Sequence, residues 1–380
     1  MKILVLGSGL VGAPMAVDLV HDHGNDVTVA DKNKAAFKKL TAYRELKKIV
    51  MDLSEPANVK KLVRHYDLVV NALPGFMGFR TLKAVIEAGK NIVDISFFPE
   101  DPFILDPLAK KKGVTAIMDC GVAPGMCNIL IGYAAEMLDK TENVVYYVGG
   151  LPVVREWPYE YKAVFSPVDV IEEYTRPARF MENGKEVIKP ALSDPELMNF
   201  PMVGTLEAFN TDGLRSLVKT IKAPNMKEKT LRYPGHIEKM AMLRDTGFFS
   251  TSEIRVGKHK IRPMDLTAKL LFPKWELREG EDDITLMKVI VEGQKKGKKI
   301  RYTWDLFDTY DPLTEVHSMA RTTGYTATTA VRMLQAGLFS RKGLIVPEYI
   351  GKYPECVKFM LKGLRDRGIV YEEKVETLNG

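Results

Sequence analysis

The chain has 380 residues, of which 55 are Lys or Arg and 49 are Asp or Glu, so its formal charge is +6. With 46% hydrophobic and 27% charged residues, the composition is that of a soluble globular protein of one large or two medium domains, and it excludes a low-complexity or disordered chain. Charges of opposite sign are interspersed along the sequence, so we expect no nucleic-acid partner.

The three cysteines, Cys120, Cys127 and Cys356, form no CxxC pair. This pattern argues against a disulfide framework and against a thiolate zinc site, so we expect a cytoplasmic protein without a bound metal. The uncharged stretches 3–17 and 120–135 are shorter than the ~20 apolar residues that a membrane-spanning helix needs. We therefore expect no association with a membrane.

Residues 2–118 alternate short apolar runs with amphipathic stretches, which is typical of βα units that form a parallel sheet. The predicted strands are 2–6, 26–30, 48–51, 68–71, 91–95 and 114–118. The predicted helices are 59–64, 78–88 and 102–111. We therefore predict an α/β fold that begins with a Rossmann domain, a doubly wound parallel sheet, over residues 1–120.

The pattern changes after residue 120. Strands are predicted at 143–149, 159–165, 284–291 and 299–306, and helices at 168–174, 236–245, 264–271 and 316–336. The pair Asn183-Gly184 between apolar flanks predicts a tight hairpin. These features predict a second α/β domain with a largely antiparallel sheet over residues 121–340. The segment 341–380, a helix followed by a short strand, is predicted to pack back on the Rossmann domain.

The first predicted strand ends in the turn Gly7-Ser8-Gly9-Leu10-Val11-Gly12, which has the GxGxxG spacing and precedes a helical pattern. Gly7 permits a tight turn, Gly9 lets the backbone approach a pyrophosphate, and Gly12 allows close packing of helix and strand. The alternative is a glycine-rich packing turn. The position between a strand and a helix favours dinucleotide binding by Gly7, Gly9, Leu10, Val11 and Gly12.

An acid, Asp31, directly follows the second predicted strand, at the spacing expected of a residue that binds the adenosine ribose. A carboxylate accepts hydrogen bonds from the free 2′-hydroxyl of NAD and repels the 2′-phosphate of NADP. Lys32 and Lys34 would reduce that repulsion. We therefore expect NAD as the cofactor, with NADP as the alternative.

Ligands of open α/β sheets lie beyond the carboxyl ends of the strands. The residues at those ends are Asn71, Ala72, Leu73, Pro74, Asp94, Ser96, Asp119 and Gly121. The turn that starts at Asn71 is placed to pass beside the nicotinamide ribose, and Asp119 precedes the second domain. Asp94 and Asp119 also have a structural interpretation, as helix caps or turn formers.

In the second half, polar residues cluster in short segments rich in glycine, proline and aromatic residues. Members of these segments are Tyr161, Asn210, Thr211, Arg215, Arg232, His236 and Glu238. His236 and Glu238 stand at the start of a predicted helix. Each has a structural alternative, since Glu238 would stabilise the helix dipole and His236 would cap the helix.

Several of these segments together resemble the saccharopine dehydrogenase family, and most closely its lysine 6-dehydrogenase branch. They are VLGSGLVG, NALPGFMGF, NIVDISFFPEDP, DCGVAPGMCNILIGY, YVGGLP, EEYTRPARFMENGK, LEAFNTDGLRS and KTLRYPGHIEKMAMLRDTGFF. The segments follow one another from the first strand to about residue 250. Such a series is far more specific than GxGxxG alone.

The resemblance implies a second domain that closes over the substrate and forms a homodimer, and NAD-dependent oxidative deamination of lysine at its ε-carbon to allysine and ammonia. Asp119, His236 and Glu238 are the candidate bases, and Arg215 and Arg232 are the candidate carboxylate clamps. We also expect Ser96, Tyr161, Asn210 and Thr211 to contact the substrate. A homodimer would in addition cover the edge of the long strands at 284–306.

Two alternatives lead to other functions. The first is another reaction of the same family, namely that of a saccharopine dehydrogenase or reductase or of a carboxynorspermidine synthase. In these reactions the site must hold a larger amino acid with a charged group at each end. The second is a protein that binds NAD without turnover. The density of polar residues at the strand ends argues against the second alternative.

Overall fold

The computed structural model describes residues 1–278 and 280–378, which form two compact units. The first unit comprises residues 1–136 and 320–370, and the second comprises residues 137–319 and the strand that starts at Tyr371. These divisions differ from the expected boundaries at 120 and 340. The helix after residue 125 and most of the helix after residue 317 belong to the first unit.

The N-terminal part of the first unit alternates strands and helices. Its strands are β1 (Lys2–Leu6), β2 (Asp26–Asp31), β3 (Lys47–Val50), β4 (Leu68–Asn71), β5 (Asn91–Asp94) and β6 (Thr115–Ile117). Its α-helices are α1 (Gly12–Val20), α2 (Pro56–Val63), α3 (Gly75–Glu87), α4 (Asp106–Lys112) and α5 (Met126–Met137), and 3-10 turns span Lys34–Leu40 and Pro102–Leu105. All six predicted strands are present, each within one residue of its predicted bounds.

The strands of the second unit are longer. They are β7 (Lys140–Pro152), β8 (Ala178–Glu182), β9 (Lys185–Lys189), β10 (Glu196–Phe200), β11 (Gly204–Asn210), β12 (Asn225–Arg232), β13 (Ile254–Val256), β14 (His259–Ile261), β15 (Asp283–Lys295) and β16 (Lys298–Thr309). The helices are α6 (Pro167–Thr175), α7 (Leu217–Thr220), α8 (His236–Asp245) and α9 (Pro263–Trp275).

The C-terminal part of the chain contributes to both units. Its elements are α10 (Ser318–Gln335), β17 (Gly343–Ile345), α11 (Pro347–Gly351), α12 (Pro354–Arg365) and β18 (Tyr371–Leu378). Strand β17 pairs with β6 in the first unit, whereas β18 pairs with β16 in the second unit. Of the segment 341–380, β17 and helices α11 and α12 thus lie in the first unit and β18 lies in the second.

The sheet of the first unit has the strand order β17-β6-β5-β4-β1-β2-β3, and every pair in it is parallel. Its central strands are almost uninterrupted runs of buried apolar residues, as a sheet covered on both faces requires. The strand order reverses next to β1, which is the switch point of a doubly wound sheet. The predicted Rossmann domain is confirmed.

A carboxylate in α1 connects the N-terminal and C-terminal parts of the first unit. Asp18 accepts hydrogen bonds from Arg332 Nη1 and from Arg367 Nε, each at 2.7 Å, and from the Thr328 hydroxyl. These partners lie in and just after helices α10 and α12, more than 300 residues later in the chain. The charge of Asp18 is therefore compensated by two guanidinium groups. Through these ion pairs, Asp18 links both C-terminal helices to α1.

The sheet of the second unit has the order β10-β11-β12-β7-β15-β16-β18, with β8 joined to β12 and β9 to β8. All its pairs are antiparallel except that of β12 with β7, so the predicted, largely antiparallel sheet is confirmed. The predicted hairpin is also present, since Asn183 and Gly184 connect β8 and β9 with φ angles of 51° and 78°.

The predicted strand at 159–165 is wrong. This segment is irregular, and within the described part of the chain its one isolated bridge joins Ala163 and Glu276. Its aromatic residues, buried Tyr161 and the partly buried Tyr159 and Phe165, pack against helices α6, α8 and α9, where Tyr161 and Trp275 have ring centroids 5.5 Å apart. The apolar alternation therefore reflects side-chain packing without a ladder of backbone hydrogen bonds.

Among the described residues, no helix combines the length and the apolar character needed to cross a lipid bilayer.

Candidate functional site

The glycine turn between β1 and α1 has the geometry of a dinucleotide-binding turn. Gly7 has a φ of 96° and donates its N–H to the Ala30 carbonyl at 2.8 Å. A Cβ on Gly12 would lie 2.2 Å from the Gly7 carbonyl oxygen, whereas a Cβ on Gly9 would have no described atom within 4 Å. Gly7 and Gly12 thus build the turn, and Gly9 leaves open the space that a pyrophosphate needs.

Asp31, at the end of β2, is fixed beside this turn. Its Oδ2 accepts the N–H of Ser8 at 2.8 Å, and its Oδ1 accepts the N–H of Asn33 at 2.8 Å. The carboxylate is therefore oriented by two backbone donors, one of which belongs to the glycine turn itself. It lies where an acid can accept hydrogen bonds from an adenosine ribose.

A pocket of about 320 Å³ lies next to β2, between the first 3-10 turn and β3. It is lined by Lys34, Phe37, Lys38, Thr41, Lys48 and Val50. Three of these six residues are lysines, so cationic side chains lie near Asp31, whose partner in the sheet is Val50. Their charges act against the preference for NAD over NADP that a carboxylate at Asp31 produces.

The carboxyl ends of β1, β4, β5 and β6 are joined by backbone hydrogen bonds. The N–H of Ala72 donates to the Leu6 carbonyl at 2.9 Å, and the N–H of Ile95 donates to the Asn71 carbonyl at 3.1 Å. The N–H of Cys120 donates to the Asp94 carbonyl at 2.9 Å. These bonds bring the four predicted strand ends together at one edge of the sheet.

Three buried side chains form a network at this edge. Asp94 accepts hydrogen bonds from the Ser96 N–H at 2.6 Å, from the Ser96 hydroxyl at 2.5 Å and from Asn71 Nδ2 at 3.1 Å. Burial raises the pKa of Asp94 to about 7, although these hydrogen bonds act in the opposite direction. Ser96, predicted to contact the substrate, is therefore bonded to Asp94, so it orients that carboxyl.

Asp119 begins the loop that follows β6. Its side chain is buried and its backbone has a φ of 50°, a conformation that L-residues rarely adopt. The negative charge of Asp119 contributes to the raised pKa of Asp94, so the two carboxyl groups interact electrostatically. Gly121 lies in the same loop, where its N–H donates to the Pro124 carbonyl at 3.0 Å. Two acidic groups thus share the carboxyl edge of this sheet.

In the second unit, the last residue of β12 is Arg232, whose side chain is only 2% exposed. Its Nη2 forms an ion pair with Glu173 Oε2 at 2.7 Å, its Nη1 donates to the Leu231 carbonyl at 2.9 Å, and its Nε donates to the Tyr174 hydroxyl at 3.3 Å. The guanidinium group also lies 4.5 Å from the centre of the Tyr161 ring.

His236 begins helix α8 beside this arginine. Its Nδ1 lies 2.8 Å from the Tyr159 carbonyl, which can only accept, so Nδ1 carries a proton. Its Nε2 lies 2.9 Å from the Tyr174 hydroxyl and therefore accepts from it in the neutral imidazole. Burial lowers the pKa of His236 to about 3, and Arg232 acts in the same direction. Both ring nitrogens are thus bonded within the protein.

Glu238, the other acid expected at this helix, is exposed in the first turn of α8. An acid at this position stabilises the positive end of the helix dipole. Of the predicted residues in the second unit, the fold thus brings Tyr161, Arg232 and His236 into direct contact. Glu238 lies on the outer surface of the same helix.

Asn210 and Thr211, at the end of β11, belong to a neighbouring cluster. Asn210 Nδ2 donates to the Ser193 hydroxyl at 3.1 Å, while its buried Oδ1 lacks a partner within the described ranges. The Thr211 hydroxyl donates to the buried carboxyl of Glu228, which also accepts the Gly213 N–H at 3.1 Å. Burial raises the pKa of Glu228 to about 8.

Arg215 lies at the end of the loop that begins at Thr211. It is largely buried and has a φ of 53°. Gly213, earlier in the same loop, could not carry a side chain, because a Cβ there would lie 2.4 Å from the Glu228 side chain. The fold therefore fixes the backbone around Arg215, and the role of this residue as a carboxylate clamp stays a prediction.

Sequence reasoning missed Glu173 and Glu228. Glu173 was one of several charged residues in a predicted amphipathic helix, and its partner is 59 positions away along the chain. Glu228 lies in a strand whose last five residues are buried, between two lysines in the sequence. The pattern Lys-Glu-Lys-Thr-Leu-Arg gives no signal that this acid is enclosed.

Two family models match the chain, and together they account for most of it. The model described as the saccharopine dehydrogenase NADP binding domain matches residues 3–117. The model described as the saccharopine dehydrogenase C-terminal domain matches residues 121–369. The glycine turn and Asp31 thus lie in a nicotinamide-nucleotide-binding domain, and the Arg232 cluster lies in the C-terminal domain.

Two relatives illustrate the range of named activities. The saccharopine dehydrogenase (NADP+, L-glutamate-forming) of Pyricularia oryzae is 28% identical over 289 residues, which cover 71% of this chain and 63% of that enzyme. The chain thus matches less than two thirds of that enzyme's length. The carboxyaminopropylagmatine dehydrogenase of a Synechocystis species is 23% identical over 385 residues, which cover 96% of both chains.

A solved structure has the same fold along the whole chain. It is the apo form of the saccharopine dehydrogenase (L-Glu forming) of Saccharomyces cerevisiae, which superimposes with a TM-score of 0.80 at 21% identity and covers 99% of each chain. The fold, the two matching family models and the site geometry agree. This chain belongs to the saccharopine dehydrogenase family.

Proposed function

We propose that this protein catalyses the NAD-dependent oxidative deamination of lysine at its ε-carbon. In this reaction the ε-carbon loses a hydride and its nitrogen loses a proton, so a C=N bond forms. Water then adds to that carbon and ammonia leaves, which yields the semialdehyde. Bound NAD supplies the hydride acceptor. The protein must hold the amino acid, accept the protons and orient the water.

The observation that carries the choice of lysine is the ion pair between Arg232 and Glu173. Besides its lysine part, saccharopine has a second amino-acid part that carries two carboxylates. A large positive charge in the site would therefore favour the binding of saccharopine. Here the one fully buried arginine of the cluster is already neutralised by an acid of the protein. A substrate with a single carboxylate and two ammonium groups fits this charge balance better.

We propose Asp119 as the base. The nicotinamide ring of a Rossmann enzyme lies beyond the strand ends at which Asp119 stands. Both ring nitrogens of His236 are bonded within the protein, and its lowered pKa of about 3 makes it a poor proton acceptor. Glu238 is exposed on the helix surface. Asp119 is buried and lies beside a second carboxyl group, Asp94.

The activity is tested by the absorbance of NADH with lysine, 6-aminohexanoate and saccharopine as substrates. We expect lysine to react fastest, and we expect Asp119→Asn to lower kcat by about 10²- to 10⁴-fold. Arg215→Ala should mainly raise KM, because it removes a carboxylate clamp. Glu238→Gln is the control and should leave kcat unchanged. NADH formation with saccharopine alone would refute the assignment and support saccharopine dehydrogenation instead.

We propose NAD as the cofactor because Asp31 directs a carboxylate at the ribose position. The NADP-dependent relatives and the lysines around the adjacent pocket support NADP as the second candidate. Calorimetry with NADH and NADPH decides between them, and we expect NADH to bind at least about tenfold more tightly. Asp31→Ser should abolish that preference. Equal or tighter binding of NADPH by the wild type would establish the second candidate.

We also propose that the chain forms a homodimer through its second unit. The strands at 284–306 do not need a partner subunit, because β15 lies between β7 and β16, and β16 is covered by β18. Helix α9 offers a better surface. Its Leu266 and Leu270 are four residues apart and are 49% and 62% exposed, and the adjacent hairpin adds exposed Ile254 and Val256.

A further inference from the structure

The charged groups around Arg232 are unequally accessible. The guanidinium group is buried, and three of its nitrogens have partners in the protein. Its ion-pair partner Glu173 is 21% exposed. The side chain of Glu173 is therefore the more accessible member of this ion pair. The positive charge that the sequence predicted at this position is compensated by an acid of the protein.

A second observation indicates that this cluster receives a ligand. The hydroxyl of Tyr161 is buried, and within residues 1–278 and 280–378 its interaction with the Arg232 guanidinium does not reach hydrogen-bond geometry. Its ring is in contact with Arg232 and with His236, whose ring centroid is 5.0 Å away. Buried hydroxyl groups in folded proteins nearly always have a partner. A polar group of a ligand would satisfy this one.

We propose that Glu173 determines the substrate specificity of this site by binding an ammonium group of the amino-acid substrate, while Arg232 serves as its counter-ion. The inference rests on the proposed function, because it names the residue that separates lysine from saccharopine. An ammonium group gains a charge-assisted hydrogen bond from Glu173. A carboxylate in the same place would meet a like charge in a poorly solvated site.

This proposal reverses the role expected of Arg232. As a carboxylate clamp it would need accessible donors directed at the substrate, yet three of its five N–H groups donate to the protein and its side chain is only 2% exposed. As a positioning residue it holds Glu173 in place and compensates its charge. Burial raises the pKa of the Glu173 carboxyl, and the guanidinium group acts in the opposite direction. Removal of Glu173 would leave Arg232 unpaired and able to accept a carboxylate.

Binding is measured by calorimetry in the presence of NADH, because the reduced cofactor prevents turnover of lysine and of saccharopine. In Glu173→Gln we expect the Kd of lysine to rise at least about tenfold and the Kd of saccharopine to fall at least about threefold. Glu173→Asp should retain the preference for lysine. The control is Glu172→Gln on the same helix, whose carboxylate pairs with Arg176 at 3.0 Å, and it should leave both Kd values unchanged.

Glu173→Gln leaves the buried guanidinium group without its ion-pair partner, which destabilises the fold. A second variant is therefore measured alongside it. The double variant Glu173→Gln/Arg232→Met removes both charges, and we expect it to fold, to lose tight lysine binding and to gain no affinity for saccharopine. A gain of saccharopine binding in the double variant would overturn the proposal. An equal rise in the Kd values of lysine and saccharopine in Glu173→Gln would also overturn the proposal, as would a wild type that binds neither ligand.

The binding data and the activity data separate the two proposals. If the wild type does not oxidise lysine but Glu173→Gln reverses the binding preference, the proposed function fails and the role of Glu173 stands. If lysine is oxidised and the ratio of the two Kd values is the same in Glu173→Gln as in the wild type, the role of Glu173 fails and the proposed function stands.

Discussion

At the scale of single residues, Glu228 makes a prediction about stability and pH. Its folded-state pKa of about 8 exceeds the ordinary value of 4.5, so the folded protein retains a proton that the unfolded chain releases. With respect to this group, stability is therefore highest below pH 4.5 and falls as the pH rises from 4.5 to about 8. At 1.36 kcal/mol per pKa unit, the free energy of unfolding decreases by at most about 5 kcal/mol over this pH range.

Glu228→Gln carries the uncharged analogue of the protonated carboxyl group. We expect this variant to have the wild-type Tm at pH 4 and a Tm at least about 5 °C higher than the wild type at pH 9. Glu186→Gln, which removes an exposed carboxyl group on β9, is the control and should leave both values unchanged. Parallel loss of Tm by the wild type and by Glu228→Gln between these pH values would contradict the assignment of a buried, protonated Glu228.

The geometry of the glycine turn was predictable from sequence because its contacts are local. Gly7, Gly9 and Gly12 lie within one turn, and Asp31 follows the adjacent strand, so spacing alone places them together. The Arg232 cluster depends on a helix, a strand and an irregular segment that only the tertiary fold brings together. Its arginine was recognised, but the acid that neutralises it was not, since pairing is not visible in a single sequence.

At the scale of elements, β1, β4 and α8 have the predicted bounds. Each is delimited by a strong local signal, such as Gly7 after β1 and Gly235, with a φ of 86°, before α8. Strands β10 to β12 were not predicted as strands, because their sequences mix charged and apolar residues, as suits a sheet with one partly solvated face. The strand prediction at 159–165 is wrong for the opposite reason. Its apolar side chains pack into the core, although its backbone has no strand partner among the described residues.

The glycine turn makes a prediction at this same scale. Gly9→Ala adds a methyl group to open space, so we expect an unchanged Tm but at least about tenfold weaker binding of NADH, because the methyl group occupies the position of the pyrophosphate. Gly12→Ala places its methyl group 2.2 Å from the Gly7 carbonyl oxygen. We expect that variant to lose about 1–3 kcal/mol of stability as well as cofactor binding.

The two variants are compared by thermal unfolding and by calorimetry with NADH. Gly24→Ala would be a poor control because Gly24 has a φ of 87°, which an alanine rarely adopts. Ser8→Ala is more suitable, since it lies in the same turn and removes only a hydroxyl that donates to the Ala36 carbonyl at 3.2 Å. NADH binding by Gly9→Ala with wild-type affinity would show that the dinucleotide does not approach this turn.

At the scale of the whole molecule, the last strand decides which surfaces are available for assembly. Strand β18 occupies the edge of the second sheet and presents Glu372, Glu373, Lys374 and Glu376 along a mostly exposed strand. Charged edges of this kind oppose strand-to-strand association. A homodimer built by continuation of this sheet is therefore disfavoured, and the exposed leucines of α9 offer the apolar contact that a stable interface needs.

We expect the wild-type protein to have the mass of a dimer by light scattering at micromolar concentration. Leu270→Asp, which places a charge in the middle of the exposed face of α9, should shift it to the monomer, because a buried unpaired charge costs several kcal/mol of association free energy. Leu197→Asp alters an equally exposed leucine on the other edge of the second sheet, in β10, and should leave the mass unchanged. A monomeric wild type would refute the homodimer, and dissociation by Leu197→Asp alone would move the interface from α9 to β10.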